Sequence, residues 1–323
     1  MAALTITKHL EYVAQLEAQL HGSPYYAVAE HTAALAKTAL ETELVRLDET
    51  AVSETDTWTT HIKTLEWLLK LPTMSLTFDT FKSILTDANV ELVQLFLTLT
   101  DIDPSAEDNY AIRMASERGH TYVVKVLLAD PPFGAAKPNP SANDNEAIRR
   151  ASVNGHTDVV KVLLADPRPD PSARDNEAIR LASKYGHTDV VEVLIADPRV
   201  NPSAHDNYAI RFACGNGHLD IVNMLLAEQR VDPSACENYA ICAASHHGHL
   251  LVVRVLLADP RVDPSAMENY AIRYSSFNGH TEVVKVLLAD SRVDPSAEDN
   301  HAFRIASAHG HLEVVKVLLA FAR

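Results

Sequence analysis

The sequence predicts an all-α protein, a solenoid of stacked helix-turn-helix-loop units with an N-terminal helical cap. Two observations carry this. A Gly-His pair recurs at Gly119-His120, Gly155-His156, Gly186-His187, Gly217-His218, Gly248-His249, Gly279-His280 and Gly310-His311, with a first interval of 36 residues and five further intervals of 31. The loop Asp-Pro-Ser-Ala recurs in step with it, as at Asp232 to Ala235 and Asp263 to Ala266. A strict period in this range marks supersecondary units that bury their apolar faces on their neighbours.

From the N-terminus, Leu10, Val13, Leu16 and Leu20 fall on one helical face, and Gly22-Ser-Pro24 then interrupts the chain. Residues 25–47 read as an Ala-rich second helix with Leu40, Leu44 and Leu47 on one side. Asp56 to Leu71 reads as a third, with Trp58, Leu65, Trp67, Leu68 and Leu69. Residues 1–76 lack the repeat and are expected to form an N-terminal helical region capping the first repeat. The alternative is a separate docking or dimer-forming module. Counting back 31 residues from Gly119-His120 lands on Ala88-Asn89, and Val90 to Leu97 reads as a second helix. Residues 77–107 are therefore expected to form a degenerate capping repeat, followed by seven repeats over residues 108–323, the last one truncated. The first unit carries a five-residue loop insertion in Pro131 to Pro140.

Within the unit Asp175 to His205, Asp175 and Asn176 are N-cap residue types, and Ala178, Ile179 and Ala182 follow on helical spacing. Gly186 suits the left-handed end of that helix. Val190, Val191, Val193, Leu194 and Ile195 then cover a wide face, as expected of a well-buried second helix. Asp197-Pro198 stops it, and Asn201-Pro202 supplies turn chemistry to an extended loop.

This unit resembles the ankyrin repeat. Tyr208-Ala-Ile-Arg-Phe-Ala213 stands where the family has Thr-Pro-Leu-His-x-Ala, while Gly217-His218 and Ile221-Val-Asn-Met-Leu-Leu226 match its later part directly. The resemblance runs over roughly residues 77–323. It implies the ankyrin fold, a protein-binding or scaffold function through a concave groove, and Gly-His imidazoles bonded to loop backbone between repeats. The chain departs from the family in its repeat length, 31 residues against about 33. It also replaces the family's Thr and His by Tyr, Glu or His and by Arg. That Arg recurs at Arg113, Arg149, Arg180, Arg211, Arg273 and Arg304, with Cys242 as the break, and an acid stands five residues before each of these positions. The expectation is a structural ladder bonded to hairpin carbonyls or to these acids; the alternative is an anion-binding stripe.

A formal net charge of −15, with acid excess in both the first hundred residues and the rest, argues against nucleic acid or an anionic membrane as partner. No apolar run approaches a membrane span, and the start has no secretory-signal pattern. Three cysteines make no disulfide framework and point to a reducing, cytoplasmic setting. No phosphate loop, nucleophile elbow or paired-Cys zinc spacing is present, so no enzyme activity, cofactor or metal is expected. Cys236, Cys242, His205 and His246 make a loose soft-ligand cluster without a recognised zinc spacing.

Most repeat positions hold constant within the chain while a few change in every unit. The position after Ser-Ala reads Glu107, Asn143, Arg174, His205, Cys236, Met267, Glu298, and the two residues before Gly-His vary as freely. In the resembled family these positions line the groove. The expected partner-binding patch is Tyr185, His205, Tyr208, His246, His247, Met267, Tyr270 and Phe277, because exposed aromatic, Met and His residues suit a recognition surface. Met114, Leu181, Phe212, Tyr274 and Ile305, one position after the Arg, are expected in the core. A protein partner and a monomer when isolated are expected. The alternative is a structural subunit of a larger assembly, held through the N-terminal helices and an uncapped C-terminal end whose Phe321 stands beyond an interior-like helix.

Overall fold

The computed structural model describes residues 2–21, 29–30, 32–34, 36–38, 78–86, 90, 93–94, 97, 102–129 and 137–321. Among these residues it contains helices and no strands. The chain divides into two compact units, one of residues 1–115 with 120–139, the other of residues 116–119 with 140–323.

In the first unit, α1 runs Ala2–Leu20 and buries Val13, Leu16 and Leu20 on one face, and α2 runs Phe78–Thr86 with Phe81, Ile84 and Leu85 buried. The helix expected at 25–47 is described only in part, and that at 56–71 lies outside the described residues. So does most of the Pro131 to Pro140 insertion. The first repeat supplies α3 (Ala106–Glu117) and α4 (Thr121–Leu128).

The second unit carries six further helix pairs. They are α5 (Ala142–Val153) with α6 (Thr157–Ala165), α7 (Ala173–Tyr185) with α8 (Thr188–Ile195), and α9 (Ala204–Gly215) with α10 (Leu219–Ala227). Then follow α11 (Ala235–His246) with α12 (Leu250–Ala258), α13 (Ala266–Phe277) with α14 (Thr281–Leu288), and α15 (Ala297–Ala308) with α16 (Leu312–Phe321). Within this unit each first helix packs on the first helix of the next repeat, and each second helix on the next second helix. Two small residues and an Ile on one face, such as Ala209, Ile210 and Ala213, let the first helices approach closely, while Ile221, Val222 and Leu225 close the layer behind. Val200, Val231, Val262 and Val293 are 1%, 1%, 1% and 7% exposed beneath the loops.

The start of each first helix differs from the expectation. Asp175 and Asn176 make no side-chain cap. With Arg174 they form a left-handed turn at φ 52°, 56° and 57°, and the same three positions are left-handed in all seven repeats. A left-handed residue with a Cβ costs about 1–2 kcal/mol, so three in a row persist only because surrounding bonds fix them. The Asn176 backbone N–H donates to the Ser172 carbonyl at 2.8 Å, and its side-chain Oδ1 accepts the backbone N–H of Asn201 in the next loop at 2.7 Å. Asn207, Asn238 and Asn269 hold the following loops in the same way.

The Gly-His pair is the second tie between repeats. Each Gly is left-handed, and the imidazoles of His156, His187, His218, His249, His280 and His311 each bond through Nε2 to a carbonyl one repeat back, as His249 does to Gly215 at 3.0 Å and His280 to His246 at 3.0 Å. The imidazole also presses on the preceding repeat's glycine. A Cβ on Gly248 would stand 2.7 Å from His280, whereas one on Gly310 would meet nothing within 4 Å. Gly248→Ala and Gly310→Ala share the left-handed penalty, so Gly248→Ala should lose roughly 1–3 kcal/mol more, the usual cost of overpacking. Equal urea midpoints for the two variants would contradict the close imidazole contact.

Candidate protein-interaction face

The ladder arginines do bond to hairpin carbonyls. Arg211 donates from Nε to the Asp206 carbonyl at 2.8 Å and from Nη2 to that of His205 at 3.1 Å, so it closes the left-handed turn of its own repeat. Arg113, Arg149 and Arg180 do the same, and Arg273 and Arg304 make the Nη2 bond. For Arg113, Arg149, Arg180 and Arg211 the acid five residues back contributes its carbonyl, and its carboxylate is left exposed. A second arginine series went unnoticed in the sequence. Arg199, Arg261 and Arg292 grip the aspartate two residues before them and donate Nη1 to Pro169, Val231 and Val262 of the preceding loop at 3.0, 2.9 and 2.7 Å. Those hydrogen bonds hold the carboxyls of Asp197, Asp259 and Asp290 below the usual range. The signal was available as Asp-x-Arg at the same 31-residue period.

Beyond the ladder, the guanidiniums of Arg149, Arg180 and Arg211 reach the first-helix residue of the following repeat. Arg149 pairs with Glu177 at 2.9 Å, Arg180 lies 5.2 Å from the Tyr208 ring centre, and Arg211 lies 5.5 Å from that of Tyr239. In the last such pair, the charge of Arg273 helps to lower the pKa of His301, after burial.

Seven of the eight residues expected at a contact patch fall into two groups. His205 and Tyr208 are 5.9 Å apart between ring centres, and Tyr208 stacks on Phe212 at 4.0 Å, with Tyr239 following at 6.2 Å. Tyr185 is 52% exposed and joins this group through Lys184, which lies 5.4 Å from Tyr185 and 5.6 Å from Phe212. In the second group Tyr270 stacks on Tyr274 at 3.9 Å, and Tyr274 faces His246 at 5.7 Å and Phe277 at 6.2 Å. His247 stands against His246 at 4.7 Å. Met267 is exposed on the left-handed turn, and none of the ring contacts ties it to either group.

Phe212 and Tyr274 correct the expectation of core packing, and Met114, Leu181 and Ile305 are half-buried as well. The position lies two residues after the buried Ile, about 200° around a helix of 3.6 residues per turn, so it cannot share the core face. Phe212 and Tyr274 therefore extend the expected patch, and Tyr239 joins it at the repeat position of Tyr208 and Tyr270.

Cys242 is buried, and its thiol is pushed up to about 12 by burial and then by the charge of Asp263; Cys236 is exposed on the turn. Among the described residues no three His, Cys, Asp or Glu side chains converge on a metal position, and no helix is long and apolar enough to cross a membrane.

Comparison with known families agrees with this geometry. A model of ankyrin repeats in three copies matches residues 83–175 and 240–322, and a second, of ankyrin repeats in many copies, matches residues 179–226. The chain belongs to the ankyrin-repeat family. Such repeats are generally protein-protein interaction modules and typically not enzymes. No curated protein matches the chain.

Two measurements check the face and its frame. Arg211→Ala should lower stability by roughly 1–3 kcal/mol, the range for a lost charge-assisted bond and an opened buried acceptor. An unchanged urea midpoint would contradict a structural ladder. The second concerns pH. Burial, then His247 and His280, lowers the pKa of His246; burial, with His247, His218 and His280, lowers that of His249 against the opposing bond to Gly215. A depressed folded pKa means the unfolded chain binds the proton more readily. The stabilisation is full above the unfolded value near 6.5 and is lost as pH falls from there through the folded values. The midpoint should drop between pH 7.5 and 5.5, and His246→Gln should flatten the drop. A midpoint that rises on acidification would contradict the sign.

Proposed function

We propose that the protein is a protein-binding module whose contact face is formed by the hairpin tips and first helices of the third to sixth repeats, acting as a monomer in the reducing cytoplasm. The observation that supports it most is the aromatic series Tyr208, Phe212, Tyr239, Tyr270, Tyr274 and Phe277, with Tyr185 and Met267 exposed beside it. Rings of this kind supply large contact area for little lost side-chain entropy, and they dominate interface energetics where they occur. The backbone beneath them is fixed repeat by repeat, so binding orders little that was mobile before. The acidic balance of the chain speaks against nucleic acid as the ligand.

A second reading, a structural subunit of a larger assembly, draws on α16. Leu312, Leu319 and Phe321 are 68%, 50% and 52% exposed there, beside an open hollow of about 390 Å³ lined by Lys285, Leu288, Ala289, Val317, Ala320 and Phe321. A size-exclusion mass above that of one chain, returned to one chain by Phe321→Ser with Leu319→Ser, would favour it.

The test of the first reading is Tyr185→Ala with Phe277→Ala in affinity capture followed by mass spectrometry. Loss of the captured protein with the melting temperature preserved is expected. Unchanged capture, together with loss on deleting residues 1–60, would move the function to the N-terminal helices.

A further inference from the structure

The side chains of Arg149, Arg180 and Arg211 each meet the first-helix residue of the next repeat, and at the next ladder position, Cys242, no cation stands to do so. Arg180 covers Tyr208 and Arg211 covers Tyr239, but the residue that would cover Tyr270 is Cys242, whose short side chain carries no positive charge. Tyr270 stacks on Tyr274 at 3.9 Å as Tyr208 stacks on Phe212 at 4.0 Å, so the two sites have the same aromatic floor. They differ in the cation over the ring. Arg180 lies 5.2 Å from the Tyr208 centre, whereas among the described residues no cation lies over the Tyr270 ring, and the positive charge that acts on it is that of Arg273 three residues along its own helix.

The carboxylates around the gap are also without cations. In the second and third repeats the outward acid pairs with the tip residue of the next repeat, Asp144 with Arg174 at 3.1 Å and Asp175 with His205 at 3.4 Å. For Asp206, Glu237 and Glu268 the next tip residues are Cys236, Met267 and Glu298, none of which is a base. All three acids are exposed, and no ion pair is formed by them among the described residues. Asp263 adds a further negative charge beside Cys242.

We propose that this place on the face receives an arginine side chain from the partner protein, which lies over Tyr270 between Glu237 and Glu268 and stands in for the ladder arginine that Cys242 replaces. The inference rests on the protein-binding reading above and specifies the chemistry of its partner. A guanidinium fits both parts, since it stacks on aromatic faces and pairs with carboxylates. The other acids set a register. Neighbouring repeats stand about 8–10 Å apart, as packed helices do. An extended chain advances about 3.3 Å per residue, so bases at every third position of an extended segment would meet Asp206, Glu237 and Glu268 in turn.

The probe is a fluorescein-labelled synthetic peptide with arginine at every third position and Ser or Gly between, read by fluorescence anisotropy on the full chain at low ionic strength. Saturable binding is expected, with the citrulline version at least about tenfold weaker because it keeps the shape and loses the charge. Cys242→Arg should abolish binding by filling the place from within, and it should fold, because six other repeats carry Arg there. Glu237→Gln with Glu268→Gln should weaken binding about tenfold, as expected for losing two flanking pairs and their field at the ring. Asp220→Asn, on an exposed second-helix position, should leave it unchanged. No binding to the folded protein, equal binding of the arginine and citrulline peptides, or undiminished binding to a folded Cys242→Arg variant would overturn the proposal. Capture of a protein that depends on Tyr185 and Phe277 but survives Cys242→Arg would keep the protein-binding reading and remove the arginine site.

Discussion

Three consecutive left-handed residues at the head of every first helix are the constraint on which the repeat depends. Glu237 and Met267 are not residue types that favour that conformation, and they adopt it all the same. The turn is pinned from two sides. In six of the seven repeats an arginine further along the helix donates to its carbonyls, Cys242 taking that place in the turn of Glu237, and the asparagine that closes the turn, as Asn207 does, accepts a backbone N–H from the next repeat's loop. Conformational strain within one repeat is thus offset partly by a bond to its neighbour, which ties local geometry to stacking. A repeat lifted from the array would keep the strain and lose the bond, a physical reason why such units are stable only in series.

The same geometry explains which positions hold constant and which vary. Asn, Arg, the Asp-Pro-Ser-Ala loop and Gly-His each have a backbone group to satisfy in the next or the preceding turn. The tip residue contributes its carbonyl and its backbone angles, so its side chain is free to be Arg174, His205, Cys236 or Met267. The first-helix residue is intermediate. It must accept the guanidinium of the repeat before it, and Glu177, Tyr208 and Tyr239 do so by an ion pair or by a ring face. Cys242 breaks that chain of contacts, and there the face turns from internally compensated to one with aromatic rings and carboxylates facing outward.

Most of the fold could be read in the sequence, because period and apolar spacing report burial directly. Val200 and its equivalents, the paired helices and the imidazole ties all follow from residues that recur at 31. The helix start could not be read so, since Asp-Asn is a cap signal in an ordinary chain and only the three-dimensional turn shows it left-handed. The face was legible in part. Tyr208, Tyr270 and Phe277 stood out by type and variability, whereas Phe212 and Tyr274 looked like core residues because hydrophobic type alone does not give angle around the helix. Contacts between repeats, such as Arg180 on Tyr208 or Asp144 on Arg174, join residues about thirty positions apart and become visible only when the repeats are laid side by side.

The most direct test of the account is hydrogen-deuterium exchange on the full chain with and without a captured protein partner. Protection should fall on the tips and first helices, at residues 204–215, 235–246 and 266–277, and leave the second helices at 219–227 and 250–258 unchanged. Protection confined to those second helices, or to residues 1–76, would contradict it.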